Sequence, residues 1–349
     1  MKPPDFIREN IPLAPLTTLG LGGAARWCAD VADDETLFAA LAFAHEQALP
    51  ILVLGGGSNV VIADAGFAGL VIRLAARGWQ AHVEGDLARV TVAAGESWDD
   101  FVAHCVAQQW AGVEALSGIP GSVGGTPIQN VGAYGQEVSQ TIQAVRAYDR
   151  LTHNLVTLNQ TECGFAYRQS IFNTTARERY LVLAVEFALR VNGAPALHYA
   201  DLQKRFVGQA EPTLAEVRAA VLELRREKGM VIDANDSDTR SAGSFFKNPV
   251  LTAAAFEALQ KSVSLPVPHF AAGADFKIPA AWLIEQAGFT KGYTHGRVAI
   301  SSKHALALVN RGGATTAELI GLMNEIQARV HSRFGVTLLP EPVFIGFDS

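Results

Sequence analysis

Between residues 35 and 48 apolar side chains return every three or four positions, at Leu37, Phe38, Leu41, Ala44 and Ala48. That spacing predicts an amphipathic helix, capped by Asp33 or Asp34 and stopped by Pro50. Residues 51–54 form a short apolar run and predict a buried strand that ends at Gly55-Gly56-Gly57-Ser58-Asn59. A second apolar run, 69–74, suits a strand, and the alternation over 89–93 suits a half-buried one. Ser97 opens a helix through Phe101, Val102 and Val106 to Trp110. Strand-like stretches follow at 143–148, 155–158 and 180–191. Thr213-Leu-Ala-Glu216 is a capping box that starts a helix to Lys228, with Gly229 as its stop. Further helices are predicted over 253–261 and 280–287, and a strand over 305–309. The final helix opens at Thr315-Thr-Ala-Glu318 and aligns Leu319, Leu322, Met323, Ile326 and Val330 on one side.

Two stretches break these periods. Residues 112–135 hold seven glycines and two prolines, which is incompatible with a regular helix or strand. They also carry Ile119, Val123, Ile128 and Val131, so the segment reads as an ordered loop wrapped closely around something. Residues 230–243 are polar and turn-rich, as a domain junction would be. There are no internal repeats, and the pattern as a whole is α+β and multi-domain.

Composition narrows the function class. The 349 residues are 49% hydrophobic and 18% charged, which is globular rather than disordered. A net charge of −6 argues against affinity built on nucleic-acid phosphates. The three cysteines (Cys28, Cys105, Cys163) are widely spaced, which excludes a disulfide scaffold or cysteine zinc site and suits a reducing compartment. With no apolar leader and no run near the length of a membrane span, a cytoplasmic protein is expected. The nine histidines show no metal-ligand spacing, so no metal is expected.

Gly20-Leu21-Gly22-Gly23-Ala24-Ala25 matches the dinucleotide fingerprint, but no buried strand precedes it and no helical period follows, so it is set aside. Gly55 to Asn59 is better placed, directly after a strand. It suits either an anion-binding nest or a tight turn between strands. A second loop, Gly118-Ile119-Pro120-Gly121-Ser122-Val123-Gly124-Gly125, continuing through Gln129-Asn130-Val131-Gly132-Ala133-Tyr134, allows a diphosphate to be held from two sides.

This pair of loops resembles the FAD-binding domain of the UDP-N-acetylenolpyruvoylglucosamine reductase family (UDP-N-acetylmuramate dehydrogenase, MurB). The likeness continues in family order over nearly the whole chain. Ala166-Tyr167-Arg168-Gln169-Ser170-Ile171-Phe172 is similar to the segment whose arginine contacts the enolpyruvyl carboxylate. Gly243-Ser244-Phe245-Phe246-Lys247-Asn248-Pro249 is similar to the segment whose serine is the proton donor. Leu339-Pro340-Glu341-Pro342 is similar to the segment that supplies a catalytic glutamate. Taken singly, Arg168 would suit a surface ion pair, Ser244 a turn and Glu341 a solvated carboxylate; it is their conjunction that points to a site. Residues 198–202 resemble the tyrosine-bearing loop of the family's type I branch.

The resemblance implies a vanillyl-alcohol-oxidase-type two-part FAD-binding module followed by a C-terminal α+β substrate-binding domain. The implied divisions are 1–75 and 76–228 for the FAD module and 229–339 for the substrate domain, with 340–349 returning to the first part. It implies FAD held by Gly55, Gly56, Gly57, Ser58, Asn59, Gly118, Ile119, Pro120, Gly121, Ser122, Gly124, Gly125, Gln129, Asn130, Gly132 and Ala133. NADPH would be the reductant and UDP-N-acetylglucosamine enolpyruvate the substrate, gripped by Tyr134, Tyr199, Lys228 and Asn248. Arg168, Ser244 and Glu341 would be catalytic. The implied protein is a monomeric enzyme of peptidoglycan precursor synthesis. Two positions depart from the family pattern: Val343 where many relatives carry arginine, and His304 where some carry a substrate-contacting glutamine. A different flavin oxidase of the same fold would account for the glycine loops but not for the segments around Ser244 and Glu341. A non-catalytic nucleotide-binding protein would lack the set of Arg168, Ser244 and Glu341.

Overall fold

A computed structural model describes residues 3–209 and 211–347. The chain forms two compact units that interleave in sequence. One takes in the chain up to Ile11, Ala25–Gly57 and Ala68–Val231, and the other Pro12–Ala24, Ser58–Phe67 and the chain from Ile232 onward.

Among the described residues the first unit holds two large sheets and a two-stranded one, Gly132–Ala133 with Gln136–Glu137. One large sheet orders strands Ile7–Pro12, Ala24–Val31, Phe67–Leu74 and Ile51–Leu54, the last two pairing parallel. Helix α1 (Asp34–Glu46) packs here through Leu37, Ala40, Phe43 and Ala44. Its cap is Asp33, whose carboxylate accepts from the Thr36 N–H at 2.8 Å and satisfies a donor the first turn leaves open. The other large sheet is antiparallel and orders Asn154–Asn159, Ile142–Asp149, Tyr180–Val191, Leu87–Ala93 and Trp79–Glu84. Helix α2 (Trp98–Ala107) covers it with Trp98, Phe101, Val102 and Cys105. This helix stops three residues short of the predicted Trp110. Gln109 turns left-handed (φ 57°), and Trp110–Ala111 instead adds a short strand opposite Val191 and Arg190. Trp110 is buried in that strand, and an apolar residue at helical spacing does not by itself tell helix from strand. Helices α3 (Ala200–Arg205) and α4 (Leu214–Glu227) complete the unit, α4 opening at the predicted Thr213–Glu216 capping box.

The second unit gathers three small sheets and helices α5 (Ala253–Ser262), α6 (Ala280–Gln286) and α7 (Thr316–Phe334) around one core. Leu319, Leu322, Ile326 and Val330 of α7 bury the predicted face. The strand predicted over 305–309 begins later, at Leu308–Asn310, because the Ser301 N–H takes the Ala307 carbonyl in a turn. Strand Val343–Ile345 runs parallel to Val60–Ile62. Gly20 to Ala25 leads into the strand Ala24–Val31 rather than a helix, so the dinucleotide fingerprint has no strand–turn–helix to act in.

Candidate active site

In the first unit the two glycine-rich loops touch through their backbones. A Cβ on Gly56 would lie 2.5 Å from the Gly121 Cα, and one on Gly55 would lie 2.5 Å from the Ser122 Oγ. At Gly56 the obstructing atoms are backbone, so glycine is a steric requirement of the approach there, whereas at Gly55 the serine hydroxyl would have to turn aside. The second loop is pinned to the sheet and to α2: Val123 N–H donates to Glu96 O, Gly124 N–H to Ala94 O, and Gly118 N–H to the Asp99 carboxylate at 2.6 Å. Arg218 grips that carboxylate with two hydrogen bonds, at 2.6 and 2.8 Å. Burial opposes the charge, but these bonds prevail and hold Asp99 below the usual carboxylate range. Between the loops the Ser122 hydroxyl is buried with no hydrogen-bond partner among the described residues. A buried donor left without a partner where two glycine-rich backbones meet fits an anionic group such as the diphosphate of FAD.

Tyr134, Tyr199 and Lys228 come together in the same unit. The two phenol rings meet edge to face at 5.4 Å, and the Lys228 ammonium lies 5.9 Å from the Tyr134 ring centre. Burial raises both phenols, so they remain neutral hydrogen-bond donors. Arg168 sits at the tip of a tight turn closed by Ala166 and Gln169, which exchange both backbone hydrogen bonds at 3.0 and 3.1 Å. Its φ of 56° is a strained conformation for a long side chain. Asn130 underpins that turn: its amide donates to Ala166 O and to Glu137, and its oxygen accepts from Ser139 N–H. Glu114, which the sequence pattern did not single out, is buried and accepts from the N–H groups of Gly112 and Ala196 and from the Gln136 amide. Nothing in its setting within Val113-Glu114-Ala115-Leu116 would have shown this.

In the second unit, the segment carrying Ser244 pairs with the C-terminal segment. Lys247 N–H donates to Leu339 O, Glu341 N–H donates to Phe245 O at 2.9 Å, and Phe246 bridges Pro340. Phe245 and Phe246 are buried in the core and anchor the residues beside them. The Ser244 hydroxyl lies 3.4 Å from His304 Nε2. Asn248 accepts from the Ala280 N–H at 2.9 Å, at the start of α6. Ser58 and Asn59 also fall in this unit, where Asn59 O accepts from Val343 N–H. Val343 itself is 40% exposed. Burial pushes all three thiols up, Cys163 to about 12, so none is a thiolate nucleophile.

Residues 28–154 match the FAD binding domain family, and residues 235–345 match the UDP-N-acetylenolpyruvoylglucosamine reductase C-terminal domain. The UDP-N-acetylenolpyruvoylglucosamine reductase of Thermobifida fusca is 52% identical to this chain, over 97% of the chain and 98% of the relative. The chain belongs to the UDP-N-acetylenolpyruvoylglucosamine reductase family. The enzyme of that name from Streptomyces avermitilis is 48% identical, over 97% of the chain and 95% of its own length. The crystal structure of UDP-N-acetylenolpyruvylglucosamine reductase from Thermus caldophilus superposes with a TM-score of 0.68 at 25% identity, over 97% of this chain and all of that one. The expected fold, an FAD-binding module with a C-terminal α+β domain, is therefore the family's. Among the described residues no helix is long and apolar enough to cross a membrane.

Proposed function

We propose that this protein is an FAD-dependent reductase that uses NADPH to convert UDP-N-acetylglucosamine enolpyruvate to UDP-N-acetylmuramate in peptidoglycan synthesis. The observation that carries the reading is the backbone pairing of the Ser244 and Glu341 segments, in a chain half identical to a reductase of that name over its whole length. The orphaned Ser122 hydroxyl and the two glycine loops support FAD as the cofactor. Gly55, Gly56, Gly57, Ser58, Asn59 and residues 118–133 would hold it. FAD bound there supplies a reversible two-electron hydride carrier, which no side chain can.

The protein's own groups do the rest. Arg168, a planar and permanent cation, binds the enolpyruvyl carboxylate and disperses the charge that builds on it as the vinyl carbon is reduced. Glu341 acts on the same group; a carboxyl that faces a carboxylate ionises less readily, which would let it share a proton. Ser244 gives its proton to the carbon next to the carboxylate, where the intermediate is far more basic than an alcohol, so position limits the step more than acidity does. Tyr134, Tyr199, Lys228 and Asn248 grip the UDP-sugar, and that remote binding orients the reacting carbon.

The test is an anaerobic visible spectrum of purified protein, followed by NADPH and then the enolpyruvyl nucleotide. A flavin band that bleaches and then returns with the nucleotide is the expected result. Recovery only on admitting oxygen would instead point to another flavoenzyme, and no bound flavin even after adding FAD would overturn the reading of the loops.

A further inference from the structure

We infer that His304 is a positioning residue for the Ser244 hydroxyl, its Nε2–H donating to the serine oxygen so that the serine's own hydrogen is left for the substrate. This assignment rests on the reading of Ser244 as proton donor.

The two side chains are 60 residues apart in sequence, yet their Oγ and Nε2 atoms lie 3.4 Å apart, both half-buried. The backbone holds them there. Phe245 N–H donates to Leu306 O at 2.7 Å, tying the serine segment to the turn that carries the imidazole. Ser301 Oγ in turn accepts from the N–H groups of Lys303 and His304, at 3.1 and 3.3 Å. The neighbours on that turn face other partners: Lys303 pairs with Asp236, and Ser302 donates to Asp238. The 3.4 Å separation is long for a hydrogen bond, and such contacts tighten when substrate is bound.

The direction of the bond follows from the inventory of the hydroxyl, which has one hydrogen and two lone pairs. An imidazole that accepted the hydrogen would leave none for carbon. An imidazole that donates leaves it in place and stabilises the oxygen as it becomes negative. In the step itself the Ser244 O–H bond breaks as a C–H bond forms beside the substrate carboxylate. The alkoxide, held by the His304 N–H, regains its proton from water.

The test compares wild type, His304→Ala and His304→Gln in two ways. The first is rapid mixing of NADPH-reduced holoenzyme with UDP-N-acetylglucosamine enolpyruvate. The second is nitrogen-15 histidine NMR of the flavin-free protein, with Ser244→Ala as reference and His304→Gln to assign the signal. H304A is expected to slow flavin reoxidation at least about tenfold, less than the roughly 100-fold or more of a proton donor itself, because His304 acts through the serine. H304Q, which keeps an N–H donor, should recover most of that rate. Reduction by NADPH should be alike in all three proteins. The His304 imidazole should be protonated at Nε2 and its signal should move in S244A. Reoxidation of H304A at the wild-type rate, equal losses in H304A and H304Q, or a signal indifferent to S244A would overturn the inference. Should H304A fail to fold, H304Q and the NMR comparison decide. Wild-type enzyme that the nucleotide fails to reoxidise would overturn the functional reading itself.

Discussion

Glu341 donates its backbone N–H to the carbonyl of Phe245 at 2.9 Å, so the C-terminal glutamate is one hydrogen bond from the residue that follows Ser244. Nearly a hundred residues separate them in the chain. The pairing continues through Lys247 and Leu339, and the buried Phe245 and Phe246 rings hold it against the core. Replacing Ser244 with Ala should therefore leave this pairing, and the fold, in place. Flavin reduction by NADPH should be unchanged, while reoxidation by the enolpyruvyl nucleotide slows by at least about 100-fold. Stopped-flow absorbance of each half-reaction checks this; equal losses in both would remove Ser244 from the chemistry.

The unpartnered Ser122 hydroxyl makes a prediction of opposite sign for the two states of the protein. In flavin-free protein, Ser122→Ala removes a buried donor that has no partner among the described residues and should leave the melting temperature unchanged or slightly higher. With FAD, the same change should weaken binding by about 10- to 100-fold, the equivalent of one hydrogen bond to a charged group. Flavin fluorescence titration and melting curves measure both.

Arg168 occupies a left-handed backbone conformation that favours glycine. Arg168→Gly and Arg168→Ala both delete the side chain, so the difference between them isolates the backbone. R168G should be more stable than R168A by about 1 kcal/mol in denaturant unfolding. Both should lose nucleotide-dependent reoxidation. A glycine variant no more stable than the alanine variant would mean the turn is not held in this conformation.

Asp149 is buried and accepts two hydrogen bonds from Arg179, at 2.9 and 2.6 Å, and these hold its carboxyl well below the usual carboxylate range. A carboxylate whose pKa is depressed on folding adds stability above its unfolded pKa near 3.8, and that stability is lost as the pH falls toward the folded value. Asp149→Asn should cost about 2 kcal/mol at pH 7, moderated because Arg179 is partly solvated. The gap between the two proteins should narrow steadily below about pH 4. Melting temperatures across that range test it, and a gap independent of pH would exclude the ion pair as its source.

Local signals were legible where the local chain decides the outcome. The caps at Asp33, Thr213 and Thr315 are satisfied by side chains three residues away, so helices α1, α4 and α7 begin where the sequence places them. The apolar run over 51–54 likewise states a strand and the glycines after it a close backbone approach, although at the edge of its sheet only Leu54 of that strand is fully buried. The end of α2 was not legible, because an apolar residue at helical spacing such as Trp110 does not by itself distinguish a helix end from a buried strand, and here it pairs with Val191. The start of the strand at Leu308 depended on a turn between Ser301 and Ala307.

The same division runs through the site. Residue type, order and motif determined which groups we propose for the chemistry: the two glycine loops, Arg168, Ser244, Glu341 and the tyrosines, read through their resemblance to a family. Only the tertiary structure decided what each of them leans on. Asn130 braces the Arg168 turn, Glu114 collects three donors, Asp99 fixes Gly118, and His304 meets Ser244. Those partners are brought together by packing across long loops, and a hydrogen bond between distant residues leaves no periodic trace in the chain that makes it.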